Sequence, residues 1–158
     1  MNHQIRAARP SDLDQLVSLF EALWPQTSAA EHARELGLIL GGNTAAVLPM
    51  PLIIFVAVTD DAKLVGFVEV DVRSHADGCN PLHPVGYIEG WYVAADHRYL
   101  GVGKRLLAQA EDWARSHGCI EIASDALIDN ALSQRAHEAC GFEETERVVY
   151  FRRKLDAR

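Results

Sequence analysis

Apolar residues recur along the chain with two different periods, and each switch between them marks a new element. Leu13, Leu16, Val17, Phe20 and Leu23 fall at helical spacing behind Pro10-Ser11-Asp12. Ser11 or Asp12 supplies a cap, and Pro25 stops the run. A short edge strand precedes this helix over residues 5–9. A second helix runs from Ser28 through Leu40 and is closed by Gly41-Gly42. Residues 51–59 form an unbroken run rich in β-branched and aromatic side chains, which predicts a fully buried strand. Asp60-Asp61-Ala62-Lys63 reads as a hairpin turn, 64–73 as the return strand, and 74–84 as a loop punctuated by Gly, Asn and two prolines.

Residues 87–93 predict another strand, whose alternation places Tyr87, Glu89, Trp91 and Val93 on one face. A long helix follows over 101–117. Its apolar stripe is Gly103, Leu106, Leu107, Ala110, Trp113 and Ala114, and Gly118 is the expected left-handed cap. A strand over 119–124, a helix over 130–140 and a final long strand over 142–155 complete the chain. The order β-α-α-β-β-β-α-β-α-β mixes hairpins with crossover helices. It predicts an α/β (α+β) fold, one mixed and mostly antiparallel sheet with helices on both faces. The 158 residues suit one domain with one core, 1–158.

Charge and composition narrow the chemistry. Fifteen Lys and Arg against twenty-two Asp and Glu give a formal net charge of −7. That field disfavours nucleic acid and anionic membranes and favours cationic partners. The longest apolar run, 51–58, is far short of a membrane span, and the first residues lack a signal-peptide core. Three cysteines (Cys79, Cys119, Cys140) show no Cys-x-x-Cys spacing, and seven histidines show no His-x-x-x-His or His-Glu-x-x-His spacing. A cytoplasmic protein without a metal is the expectation.

Two segments carry candidate chemistry. Arg98-Tyr99-Leu100-Gly101-Val102-Gly103, followed by Lys104, lies between a strand and a long helix. Glycines there let backbone amides approach an anion, and the helix dipole adds to that nest. A P-loop does not fit, because Gly103-Lys104 is followed by Arg105 and Arg98 stands at the first glycine position. A Rossmann fingerprint fails because Leu106 occupies the third glycine position. The second segment is a helix entered by Asp129-Asn130 and closed by Gly141-Phe142. Asn130 and His137 lie seven residues apart, on one helix face two turns from each other.

Together these segments resemble the GCN5-related N-acetyltransferases (GNAT). The family's pyrophosphate motif is matched at Arg98, Gly101 and Gly103, and its downstream Asn…Gly-Phe helix at Asn130, Gly141 and Phe142. Leu23-Trp24-Pro25, the 88–93 string Ile-Glu-Gly-Trp-Tyr-Val, Ala123-Ser124-Asp125 with Asp129-Asn130, and the 144–151 string resemble the aminoglycoside 6'-N-acetyltransferases within that family. The likeness is strong from about residue 87 onward and thinner before it.

The resemblance implies direct acetyl transfer from acetyl-coenzyme A to an amine in a ternary complex, and a homodimer. It implies a cofactor cradle of Tyr92, Val93, Arg98, Tyr99, Leu100, Gly101, Val102, Gly103, Lys104 and Asn130. The strand end Trp91-Tyr92-Val93 is expected to splay and leave an amide for the thioester oxygen. Many members carry a Tyr where His137 stands, as acid to the leaving thiolate; His137 takes that role here. Glu89, mid-strand among apolar residues, is the candidate for proton removal and substrate binding, with burial raising its pKa. A polycationic acceptor also needs carboxylates in a cleft and an apolar wall. Asp125, Glu144 and Glu146 are candidates, with Glu69 and Asp71 alternating likewise on the earlier strand, and Trp24 is placed to stack on a sugar and attract ammonium groups. The competing readings are acetylation of another amine, such as a polyamine or protein N-terminus, and a non-catalytic coenzyme A-binding module.

Overall fold

Five strands lie side by side in the order of the chain: β1 (His3–Ala7), β2 (Leu52–Thr59), β3 (Leu64–Arg73), β4 (Val85–Val93) and β5 (Glu121–Ser124). The first three junctions are antiparallel, and β5 joins β4 in parallel. The computed structural model describes residues 2–47 and 49–156, in two compact units, 1–125 and 126–158. The sheet belongs to the first unit, with α1 (Leu13–Leu23), α2 (Ala29–Leu40) and α3 (Val102–Ser116); the second holds α4 (Ala131–Ala139).

Local chemistry sets the element ends. Ser28 caps α2 in a capping box: its hydroxyl accepts from the Glu31 amide, and its own amide donates to the Glu31 carboxylate. Asp12 does not cap a helix through its side chain. It accepts instead from the Arg9 amide at 2.8 Å and from both terminal nitrogens of Arg6, which ends β1 at Ala7, two residues before the predicted limit.

The two faces of β3 meet different helices because its side chains alternate. Phe67 stacks on Phe20 of α1, with ring centroids 4.4 Å apart, while Gly66 faces Leu106 of α3. Helices therefore cover both faces of the sheet, as the element order predicts. Leu16, Phe20, Leu36, Val56 and Phe67 form the core between the sheet and the α1–α2 pair.

One irregularity changes the predicted faces of β4. Glu69 is opposite Gly90, but Val70 is opposite Ile88, so Glu89 is the extra residue of a β-bulge. Side-chain alternation is reset there. Trp91 turns to α3, where its indole Nε1 donates to the Gly103 carbonyl at 3.2 Å. Gly90 lies against Trp24 and Phe67, and Tyr92 faces Phe67. Glu89 and Trp91 therefore do not share a face, contrary to the simple alternation expected for Tyr87, Glu89, Trp91 and Val93.

A second departure lies in the other unit. Residues 142–156 form no strand, although 142–155 read as one. Val149, Tyr150 and Phe151 are exposed, Phe151 at 94%. A strand needs a neighbouring edge to satisfy its amides. The apolar pattern records a demand for burial without naming the element that meets it.

Two predictions follow from the sheet. A Cβ at position 90 would collide with the Trp24 ring and stand 3.1 Å from Phe67. Gly90→Ala is therefore expected to cost about 1–3 kcal/mol through overpacking and to shift tryptophan fluorescence. Thermal melts and emission spectra check both.

Glu69 sits in the most buried strand at 6% exposure, and burial, reinforced by Glu35, Glu89 and Asp71, raises its pKa to about 8. The folded chain thus binds a proton that the unfolded chain releases above pH ~4.5. The stability tied to this group is complete below that pH and is lost as pH rises through about 8. Glu69→Gln is expected to raise the Tm relative to the parent at pH 9 and to leave it nearly unchanged at pH 4.

Candidate active site

The glycine loop is held open by its own backbone. Tyr99 and Gly101 take left-handed φ values of 61° and 76°, and a Cβ at Gly101 would meet nothing within 4 Å. Gly101 caps α3 without a side chain, and the first helical hydrogen bond is donated by the Arg105 amide to the Gly101 carbonyl. The amides of Val102, Gly103 and Lys104 precede that bond and carry the positive end of the helix dipole. Tyr99, Leu100 and Lys104 are exposed beside them.

Two loop residues have duties the sequence did not disclose. The Arg98 guanidinium donates through Nε to the Val93 carbonyl at 2.8 Å and lies 5.7 Å from the Tyr92 ring centroid. It ties the loop to the end of β4 as well as contributing charge. Gly103 is small because the Trp91 indole stands 3.1 Å from where its Cβ would be. That packing, together with access for an anion, accounts for the second glycine of the motif.

β4 diverges from β5 beside this loop. Their parallel ladder ends at Ile88 and Ser124, whereas the β3–β4 ladder continues to Gly66 and Val93. Residues 89–93 therefore keep β3 on one side and have no β5 ladder on the other. This is the opening expected at Trp91-Tyr92-Val93, and the bulge at Glu89 accompanies it.

On the α1–α2 side of the sheet lies a cleft of about 490 Å³. Trp24 and Phe20 from α1, His32 and Glu35 from α2, Glu69, Asp71 and Arg73 from β3, and Glu89 from β4 line it. Trp24 does two jobs, packing edge-on to Phe20 at 5.1 Å between centroids while lining the cleft. Glu89 is in the cleft, but its side chain is 32% exposed and accepts from Arg73 at 2.5 Å. Deep burial falls on its neighbours instead. Asp71 is 0% exposed, and among the described residues no amide, hydroxyl or guanidinium donor bonds its carboxyl oxygens; its one hydrogen-bonding neighbour there is the Glu89 carboxyl, with which it can share a proton. The Asp71 pKa is raised to about 8, first by burial, then by a hydrogen bond with the Glu89 carboxyl and the repulsion between the two, with Arg73 opposing.

The remaining candidates divide between the units. Asp125 is exposed just beyond β5; burial first, and then the Asp125 charge, push the Tyr87 phenol well above its ordinary pKa. In the second unit Asn130 caps α4, its side-chain oxygen accepting from the Ser133 amide at 3.1 Å. His137 Nδ1 donates to the Ser133 carbonyl at 2.7 Å, and its ring meets Phe142 edge-on. Glu144 is exposed and forms a two-pronged pair with Arg147; Glu146 is exposed on the same irregular segment.

Sequence reasoning thus named Glu89 and Trp24 for the cleft but missed Arg73, His32 and Glu35, and gave Glu69 and Asp71 a secondary place. Two acids interrupting the apolar run of β3 were the available signal for the latter pair. Among the described residues, no group of three His, Cys, Asp or Glu side chains is arranged to hold a metal ion, and no helix is long and apolar enough to cross a membrane.

The arrangement joins an amide nest, a strand edge opened beside it and a cleft lined with acids, all within residues 1–125. Comparison with known proteins gives this arrangement a family. The Acetyltransferase (GNAT) family model matches residues 15–142. An aminoglycoside N(6')-acetyltransferase type 1 from Stenotrophomonas maltophilia is 41% identical over 96% of this chain and 94% of its own length. The protein of the same name from Serratia marcescens is 42% identical over 91% and 94%. Among solved structures, AAC(6')-Iy in complex with the bisubstrate analogue CoA-S-monomethyl-acetylneamine superposes with a TM-score of 0.86. It shares 33% identity and covers 98% of this chain and 100% of its own. Apo AAC(6')-Ig from Acinetobacter haemolyticus gives 0.85 at 36% identity, covering 99% and 100%. The chain belongs to the GNAT acetyltransferase family.

Proposed function

We propose that this chain is an acetyl-coenzyme A-dependent aminoglycoside 6'-N-acetyltransferase, a single catalytic domain over residues 1–158 that confers resistance to the antibiotics it acetylates. The observation that carries the reading is the acid-lined cleft, where Asp71 is fully buried and, among the described residues, only another acid, Glu89, neighbours its carboxyl as a hydrogen-bonding group. Such a group calls for a cationic or hydrogen-donating ligand. The full-length relatives and the analogue complex support the same substrate class.

The α3 terminus fits the pyrophosphate of the cofactor: its first amides precede the helical bonds, and the space around Gly101 is open. The amides over 99–104 would hold the diphosphate, with Arg98 fixing the loop and Lys104 adding a positive charge. Asn130 is assigned to the amide-bearing arm of the cofactor. Acetyl-coenzyme A, when bound, supplies an activated acetyl thioester. The Tyr92-Val93 end of β4, beyond the β5 ladder, is assigned to present a backbone N–H to the thioester oxygen.

Glu89 and the acids beside it orient the acceptor's ammonium groups and take the proton that must leave the reacting amine. Trp24 forms the apolar wall for a sugar ring. Proximity of amine and thioester supplies much of the rate, ~7–11 kcal/mol at best. His137, whose Nδ1 is committed to the Ser133 carbonyl, would serve the departing thiolate only as an imidazolium, giving up the Nε2 proton and remaining as the Nδ1–H tautomer. Asp125, Glu144 and Glu146 are assigned to outlying ammonium groups. The exposed Val148, Val149, Tyr150, Phe151 and Leu155 support a homodimer in which a second copy covers them. A cytoplasmic location follows from the cosubstrate.

Two measurements test the assignment. Thiol release from acetyl-coenzyme A is expected to be saturable with aminoglycosides bearing a 6'-amine and absent with those bearing a 6'-hydroxyl. Turnover confined to peptides or spermidine, or cofactor binding without turnover on any amine, contradicts the reading. Lys104→Glu, at an exposed position, is expected to raise the apparent KM for acetyl-coenzyme A about fivefold to tenfold with an unchanged Tm. Unchanged cofactor affinity would place the diphosphate elsewhere. A bulky residue at Gly103 is unsuited to this test, because the added side chain meets Trp91.

A further inference from the structure

The cleft already contains one cation. Arg73, the last residue of β3, lays its guanidinium on the Tyr87 ring, 3.4 Å from the centroid. Its Nη2 donates to Glu89 Oε1 at 2.5 Å, and its Nε stands 3.7 Å from Asp71 Oδ1, too far for a hydrogen bond. One guanidinium thus serves Glu89 fully and Asp71 incompletely, with Glu69 lining the same cleft. Asp71 and Glu89 line the cleft, and the Tyr87 face meets Arg73 beside it, so the guanidinium lies among the groups that an alkylammonium would also use.

The anchoring of the two sides is unequal. Asp71 is 0% exposed in the middle of the sheet and cannot move without disrupting β3. The Arg73 side chain is 41% exposed, at a strand end, on a long flexible stem. Partly exposed ion pairs of this kind are weak and exchange readily. A compact ammonium with three donors reaches both carboxyls without the fixed fork of a guanidinium.

We propose that Arg73 is an intramolecular stand-in for the cationic acceptor: it occupies the ammonium subsite framed by Asp71, Glu89 and Tyr87, and an acceptor's ammonium displaces it on binding. Arg73 is then a specificity-determining residue. It raises the threshold for binding, and a monoamine that cannot also engage Glu69 or the outer acids does not overcome it. The inference rests on the acetyltransferase reading for the identity of the acceptor and adds to it a competitor within the chain.

The test compares the parent, Arg73→Gln and Arg73→Lys, with neamine as probe, by steady-state thiol release and by calorimetric binding. Arg73→Gln is expected to lower the apparent KM and the Kd for neamine about threefold to tenfold. Arg73→Lys, which keeps the internal cation, is expected to stay near the parent. In an Asp71→Asn background the gain from Arg73→Gln is expected to shrink, because the shared carboxylate is gone. A KM that rises or stays fixed in Arg73→Gln, with an unchanged Tm, overturns the proposal and makes Arg73 a structural pair or a direct acceptor contact. Should Arg73→Gln not fold, Asp71→Asn alone decides: a subsite predicts weaker neamine binding, and unchanged binding overturns it. If the parent acetylates no aminoglycoside, the functional reading fails by itself, and the calorimetric comparison still judges the subsite.

Discussion

Two acids placed inside a sheet govern this molecule. β3 is the central strand, paired on both edges and covered on both faces, and nine of its ten residues are buried. An apolar residue at position 69 or 71 would satisfy every packing requirement there. The chain instead carries Glu69 and Asp71, whose burial drives both carboxyls toward their protonated forms. A fold bears such a conflict where a ligand resolves it. A polyammonium acceptor offers the missing charge, and Arg73 offers a partial substitute.

The second constraint is the bulge at Glu89. It brings Glu89 into the cleft, turns Trp91 to α3 and frees the Gly90 position for the Trp24 ring. Immediately beyond it β4 and β5 part. One inserted residue thus links the acceptor cleft on one face to the Trp91–Gly103 packing that supports the glycine loop on the other. The loop is tied back to the same strand by Arg98 at Val93. Chemistry on both sides of β4 is aligned by the strand itself.

Much of this was legible in the sequence, for reasons that can be named. Helix periodicity with Ser28, Pro25 and Gly118 as stops fixed the helices, because caps and breakers act locally. The β2–β3 hairpin followed from two apolar runs around a polar turn. The glycine loop was legible because left-handed backbone and exposed amides demand particular residues. The bulge was not, since it depends on the register between two strands; plain alternation therefore puts Trp91 on the same face as Glu89, which the bulge reverses. Arg73 and the deep burial of Asp71 depend on the depth of β3 in the sheet, which periodicity does not report. The segment 142–155 reads as a strand because its pattern is apolar, yet no ladder partner meets it among the described residues.

The account stands or falls on the protonation of one carboxyl. Carbon-13 NMR of the Asp71 side chain, followed by pH titration with and without saturating neamine, observes it directly. A midpoint of about 8 is expected for the protein alone, moving well down when neamine supplies the missing cation. An ordinary carboxylate midpoint in the protein alone, or a raised midpoint indifferent to neamine, would contradict it.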